Sequence, residues 1–358
     1  MNFSADALSD FARRIFKEIG CSTEDAELAS QVLISADLRG VDSHGIARLI
    51  GYVRLYEKER INPTPDIKVL RQTPSTGVMD GDAGLGLVVG PKAMALAIEK
   101  AEACGSGWVS VQNSNHFGIA GYHAMMALEN DCIGIAMTNA SPLVSPTFAN
   151  DRLLGTNPIS VAIPAGAEDP FVADMATTTA ANGKLEILQR KNEVAPSGWI
   201  QDDKGLPTTD AGGVQKGGSL LPLGGDRTHG SHKGYALGAM VDIFSAVLSG
   251  ANYGPWAPPF VAFLDPVSDP VGKGLGHFFG AMRIDGFRDK EEFKGHMDNW
   301  LRRFRGAQTV PGQERVLVPG DPEREMEARR QHEGIPLLGP VVADLRTLSE
   351  KYGVALPI

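Results

Sequence analysis

DGDAGLGLVVG, residues 80–90, is the stretch whose reading decides the fold class. Its glycines Gly84, Gly86 and Gly90 stand in a G-x-G-x-x-x-G pattern ahead of a helical run to about residue 103, which invites a dinucleotide fingerprint. That fingerprint is G-x-G-x-x-G between strand and helix, with an acid at the end of a second strand about 20 residues on. Here the spacing is one residue longer, Asp80 and Asp82 interrupt the preceding strand, and no clear second strand ending in an acid follows. An ordinary Rossmann site is therefore not expected, and no G-x-x-x-x-G-K-[ST] loop replaces it.

Toward the N-terminus, 4–19 and 23–38 read as amphipathic helices, the second announced by Ser22, Thr23 and Glu24. VDSHGIARLIGYVRLYE (41–57) follows. With Ser43 as N-cap, its apolar residues fall at helical period, and His44, Arg48 and Tyr52 at i, i+4 and i+8 share one side. These groups suit an anionic substrate that gains or loses a proton. Arginine grips a carboxylate through two parallel hydrogen bonds, and histidine moves protons near neutral pH. Taken by itself, the segment fits a solvated polar face better than a site. Pro63 and Pro65 then mark a boundary, with short strands at 67–70 and 76–79.

On the other side, a strand at 108–112 leads into a helix at 113–130. The runs 133–139, 158–165 and 170–176 read as strands, and a helix spans about 179–189. Residues 202–230 form a long loop, and 230–250 a strongly apolar and therefore buried helix. Residues 251–273 are proline-rich and irregular, 276–284 is a strand, and the tail (289–305, 321–333, 340–352) is helical. The pattern is a mixed α/β (α+β) protein with helical ends. The expected division is 1–70 with 289–358 as a helical unit and 71–288 as a second one.

The 358 residues are 42% apolar and 22% charged, an ordinary globular composition. A net charge of −9 without a basic stripe argues against nucleic acid, and the arginines at 302, 303, 305, 329 and 330 read as solvated helix faces. Cys21, Cys104 and Cys132 are odd in number and lack C-x-x-C spacing, which fits a reducing compartment. The charged N-terminus is unlike a signal peptide and no apolar run spans a bilayer, so a cytoplasmic protein off the membrane is expected.

Three further places hold chemistry. In HGSHKG (229–234), Lys233 and Gly234 stand where a glycine-rich loop enters a helix, which offers N–H donors and a cation to a phosphate. His229 and His232 have no carboxylate or cysteine set nearby, so no metal is expected. His116, at the start of a helix, is biased toward the neutral base by the helix dipole. Asp174, ending an apolar strand, can orient a histidine or cap the next helix.

Taken together, DSHG (42–45) with Arg48, SNHFG (114–118), GTNPISVAIP (155–164), DMATTTAANGK (174–184) and HKGYAL (232–237) with Asp242 resemble the second, non-Rossmann type of malate/L-lactate dehydrogenase, from about residue 4 to residue 335. That family also contains ureidoglycolate, sulfolactate and diketogulonate oxidoreductases and cyclic imino-acid reductases. The resemblance implies hydride exchange between NAD or NADP and C2 of a 2-hydroxy or 2-oxo acid, in a homodimer. Malate or L-lactate is expected first, with a cyclic imino acid or a ureidoglycolate-like substrate as the alternative.

Residue by residue, the resemblance places His44 and His116 on two acid/base histidines and Arg48 on the carboxylate-binding arginine. Ser43 and Tyr52 are expected beside Arg48 on the substrate side. Cofactor contacts are expected from Asn139, Ser141, Thr156, Asn157, Asp174, Met175, Ala176, Thr177, Thr178, Lys233, Gly234, Pro319, Gly320 and Asp321. Ala140 stands where some members carry serine. His44 is expected to carry the proton with Asp174 as its partner, and His116 to polarise the same oxygen. The rival readings are a metal hydrolase built on His229, His232 and Asp174, and a sugar-acid or nucleotide binding protein.

Overall fold

A computed structural model describes residues 2–356. The first two helices form where caps and apolar spacing agree. In α1 (Ala5–Glu18) Ser4 accepts from the Ala7 N–H, and Leu8, Phe11, Ala12, Ile15 and Phe16 face inward. In α2 (Thr23–Leu38) Ser22 accepts from the Asp25 N–H. These helices pack with α3 (Leu49–Glu57) and the C-terminal α10 (Gly339–Tyr352) around one apolar core. The pairing of Asn2–Phe3 with Ile335–Pro336 ties the segment before α1 to the segment before α10.

A second core lies under a seven-stranded sheet. Its strands are β1 (Lys68–Gln72), β2 (Thr76–Asp80), β3 (Ser106–Ser114), β4 (Cys132–Thr138), β5 (Ile159–Ile163), β6 (Phe171–Met175) and β7 (Leu275–Arg283). They lie in the order β1-β2-β3-β7-β4-β5-β6, and only β2 and β3 pair in parallel. The parallel pair is bridged by α4 (Gly86–Cys104), a helix that begins inside the opening glycine stretch and includes Gly86 and Gly90.

Those glycines make room for protein. A Cβ on Gly86 would strike the backbone of Asn115 and His116, one on Gly84 would strike Pro65, and one on Gly90 the His123 ring. At the end of β2, the Asp80 carboxylate accepts from the Asp82 N–H and from Asn113. The place where a Rossmann unit would seat pyrophosphate is thus filled by the chain itself.

Four expectations need correction. The helix over 113–130 shrinks to α5 (Ala120–Met125) with a 3-10 turn after it, because Asn113 (φ 57°) and Gly118 (φ 81°) are left-handed. Ser43 caps nothing. After a 3-10 turn at Ile46–Arg48, α3 begins at Leu49, and the buried Asp37 carboxylate takes the Ile46 N–H at 2.6 Å. The apolar helix α7 (Ser231–Asp242), which continues as a π-helical turn to Val247, is not buried: Met240, Ile243 and Leu248 are 51%, 54% and 56% exposed. Finally, Arg330 of α9 (Asp321–Glu333) is only 6% exposed and clamps the 37–42 turn through the Asp37 carbonyl and the Asp42 carboxylate.

α6 (Asn182–Lys191) starts three residues later than expected. α8 (Lys290–Arg305) packs on the β6 edge, where Asp298 accepts from the N–H groups of 166–168 and Trp300 meets Phe171.

Candidate active site

The turn after α2 carries Ser43 and His44, and the loop after β3 carries His116. The fold brings them together. The two imidazoles stack with centroids 5.5 Å apart and planes 20° from parallel. Burial, and then the Arg48 charge, push the His44 ring down to about 3. Burial, His44 and Arg48 hold His116 well below its usual value. Both rings are therefore neutral near pH 7, as bases are required to be. The bias toward neutrality expected of His116 holds, but its cause is burial, since no helix begins there.

Tyr52 stands beneath His116, not on a cavity wall. It is fully buried, edge-on to Phe16 and Phe260, and its hydroxyl lies 2.7 Å from His116 Nδ1. Burial raises its pKa, so the phenol keeps its proton. Phe260, from the proline-rich segment, lies 4.6 Å from the His116 ring and 5.1 Å from Tyr52, so the three rings pack against one another. The Phe260 N–H donates to Ser141 Oγ, its carbonyl accepts from Arg54, and Gly51 of α3 leaves space for its ring. Phe260 escaped sequence reading, since nothing in an irregular segment reports a distant partner. Gly51 inside an apolar helix was the available signal.

Arg48 donates from Nε to the Ser43 carbonyl and pairs through Nη1 with Glu186 of α6 at 3.1 Å. It lines two smaller cavities of about 210 and 300 Å³, the second of which also contains Arg54, Arg190 and Phe260. A larger cleft, about 550 Å³, is lined by Ser43, His44, Thr156, Asp174, Met175, Ala176 and Thr178, with Arg39, Lys184 and Glu323 as residues the sequence did not single out. Asp174 faces the cleft but bonds to neither histidine. Its carboxylate caps α5 by accepting from the Gly121 N–H at 2.8 Å, and burial pushes it up to about 6.

The remaining expected contacts are not part of the lining of this cleft and are held by other protein groups or lie behind its wall. Asn139 is bound to Asp242 and the Asn252 carbonyl, Asn157 to Ala140 and Gly238, and Thr177 to the carbonyls of 156 and 157. Gly234 packs on the Leu223 backbone, and Leu223 reaches the cleft; Lys233, exposed, has no ion partner among the described residues. The Pro319 carbonyl accepts from Val172, Gly320 turns the chain at φ 99°, and Asp321 is held by Arg305 and Arg324, while Pro322 and Glu323 line the cleft. His229 pairs with Asp226 and His232 with Arg227, so no metal pair converges there.

A cleft of this size, walled by small residues and Met175 with the exposed Lys184 in its lining, is of a kind that suits a nicotinamide dinucleotide. The comparisons agree. The family model for malate/L-lactate dehydrogenase matches residues 3–346. A malate dehydrogenase of Pyrococcus abyssi is 44% identical over 350 residues, covering 98% of this chain and 94% of its own. An L-sulfolactate dehydrogenase of Methanocaldococcus jannaschii is 39% identical, with 88% of each chain covered. The crystal structure of malate dehydrogenase from Entamoeba histolytica superposes with a TM-score of 0.93 at 37% identity, covering 100% of this chain and 99% of that one. The chain belongs to the malate/L-lactate dehydrogenase family. It is an NAD(P)-dependent oxidoreductase acting on a 2-hydroxy acid, and the lack of a Rossmann unit is consistent with that family's fold.

Proposed function

We propose that this enzyme interconverts malate and its 2-oxo acid, with His116 as the proton carrier. The stacked, neutral His44–His116 pair beside Arg48 carries this reading. When bound, NAD(P)⁺ supplies the hydride acceptor at its nicotinamide C4. Arg48 holds the C1 carboxylate and orients C2. As the C2–H bond gives up its electron pair, His116 Nε2 takes the hydroxyl proton and C2–O becomes a carbonyl; reduction runs the same path backward.

The Gly118 N–H makes a long 3.4 Å contact to Nδ1, and the Tyr52 hydroxyl, 2.7 Å away and able both to donate and to accept, can receive Nδ1–H in the tautomer in which Nε2 works as a base. His44, its Nδ1 on Ser43 Oγ at 2.9 Å, polarises the same oxygen. This reverses the order expected from sequence, and the lack of any Asp174–His44 bond supports the reversal. Arg54 and Arg190, which line the 300 Å³ cavity with Arg48 and outnumber its carboxylates Glu186 and Asp344, suit a second substrate carboxylate and so favour malate over lactate. His116→Gln should lower kcat for malate by about 10²–10⁴ and His44→Gln by less; a His116→Gln kcat within a few-fold of wild type contradicts the assignment.

Met175, Ala176, Thr178 and Thr156 would hold the nicotinamide side, and Lys233 a phosphate. The helical termini serve as the substrate and dimerisation unit and 71–288 as the cofactor unit. The exposed apolar face of α7 suits a homodimer. Among the described residues no helix is long and apolar enough to cross a membrane. Three free thiols support a cytoplasmic location, which cell fractionation checks.

A further inference from the structure

Arg48 is already occupied by a carboxylate from its own chain. Its Nη1 lies 3.1 Å from Glu186 Oε2, its Nε bonds the Ser43 carbonyl, and both partners of the ion pair are largely sheltered from water. Glu186 is held in place by Asn182 Nδ2, 2.8 Å from its other oxygen. Gly183 admits the contact: a Cβ there would crowd Ser43 and lie 2.7 Å from Arg48 Nη2. A carboxylate binds arginine in two-point fashion through Nε with one Nη, or through both Nη atoms. Each of these edges has a nitrogen engaged by protein.

We infer that Glu186 is a built-in competitor of the substrate carboxylate, and that substrate binding displaces it from Arg48. The inference rests on Arg48 being the carboxylate handle. Glu186 sits on α6, which continues the cleft-lining segment 174–181, so its release acts on the wall of the cofactor cleft. Glu186 is therefore a positioning residue that weakens substrate binding while keeping the empty handle in place.

Glu186→Gln is nearly isosteric and keeps an oxygen for Asn182, so α6 retains its anchor. With saturating NAD⁺ or NADP⁺, KM for malate should fall roughly fivefold, the effect of losing about 1 kcal/mol of ion pairing. kcat should stay within about twofold. A direct readout is the malate concentration that half-quenches NADH fluorescence in the ternary complex, which should shift the same way. Arg48→Gln is the control. A raised KM in Arg48→Gln together with an unchanged or raised KM in Glu186→Gln overturns the inference and leaves the handle standing. An unchanged KM in Arg48→Gln overturns both.

Discussion

At His116 the decisive neighbour is Tyr52, 64 positions earlier in the chain. Short motifs brought both histidines and Arg48 forward as candidates, and the fold stacks the two rings, whereas nothing in the sequence reported that the phenol bonds to His116. Helical spacing put Tyr52 on the substrate side, but a residue with no exposed surface can act only through what it touches. Tyr52→Phe keeps the ring packing on Phe16 and Phe260 and removes one hydrogen bond. The expected loss is about 1 kcal/mol, or roughly fivefold in kcat, with KM for malate nearly unchanged. A KM effect without a kcat effect would return Tyr52 to the substrate side. Asp174 shows the same limit: a strand-end carboxylate orients either a histidine or a helix, and only tertiary placement chose the Gly121 N–H.

Among the elements, caps and apolar period located α1, α2 and most strands to within a few residues. The misreadings share a cause. Apolar residues from Ile119 onward extended a helical pattern over NSNHFG, where left-handed Asn113 and Gly118 break the chain and free His116 from any helix. In α7, apolarity on all sides was read as burial, yet Met240, Ile243 and Leu248 face outward in the isolated chain. Such a face argues for a partner, and a second copy is the proposed one. Ile243→Glu should turn a dimer into a monomer in light scattering; an unchanged mass would place the interface elsewhere.

In the whole molecule, the glycine stretch at 80–90 excluded a Rossmann unit correctly, and the structure supplies the reason: each glycine admits a neighbouring backbone or ring, leaving no cradle for phosphate. The cleft proposed to hold the cofactor instead gathers segments near 39–44, 118–120, 156–158, 172–184 and 322–326, which only the folded chain brings together. No local pattern reports such a convergence, and for that reason Arg39, Lys184 and Glu323 went unread.

The proposal as a whole is that hydride passes between malate and NAD(P) bound in this cleft while the histidine pair handles the proton. Purified enzyme given malate or lactate, each with NAD⁺ and NADP⁺ and followed at the nicotinamide absorbance band, tests it most directly. Turnover of malate with kcat/KM at least about tenfold above that of lactate is expected, since a cationic subsite left without its carboxylate costs well over 1 kcal/mol. No reduction of either coenzyme by malate, with lactate turned over, would contradict it.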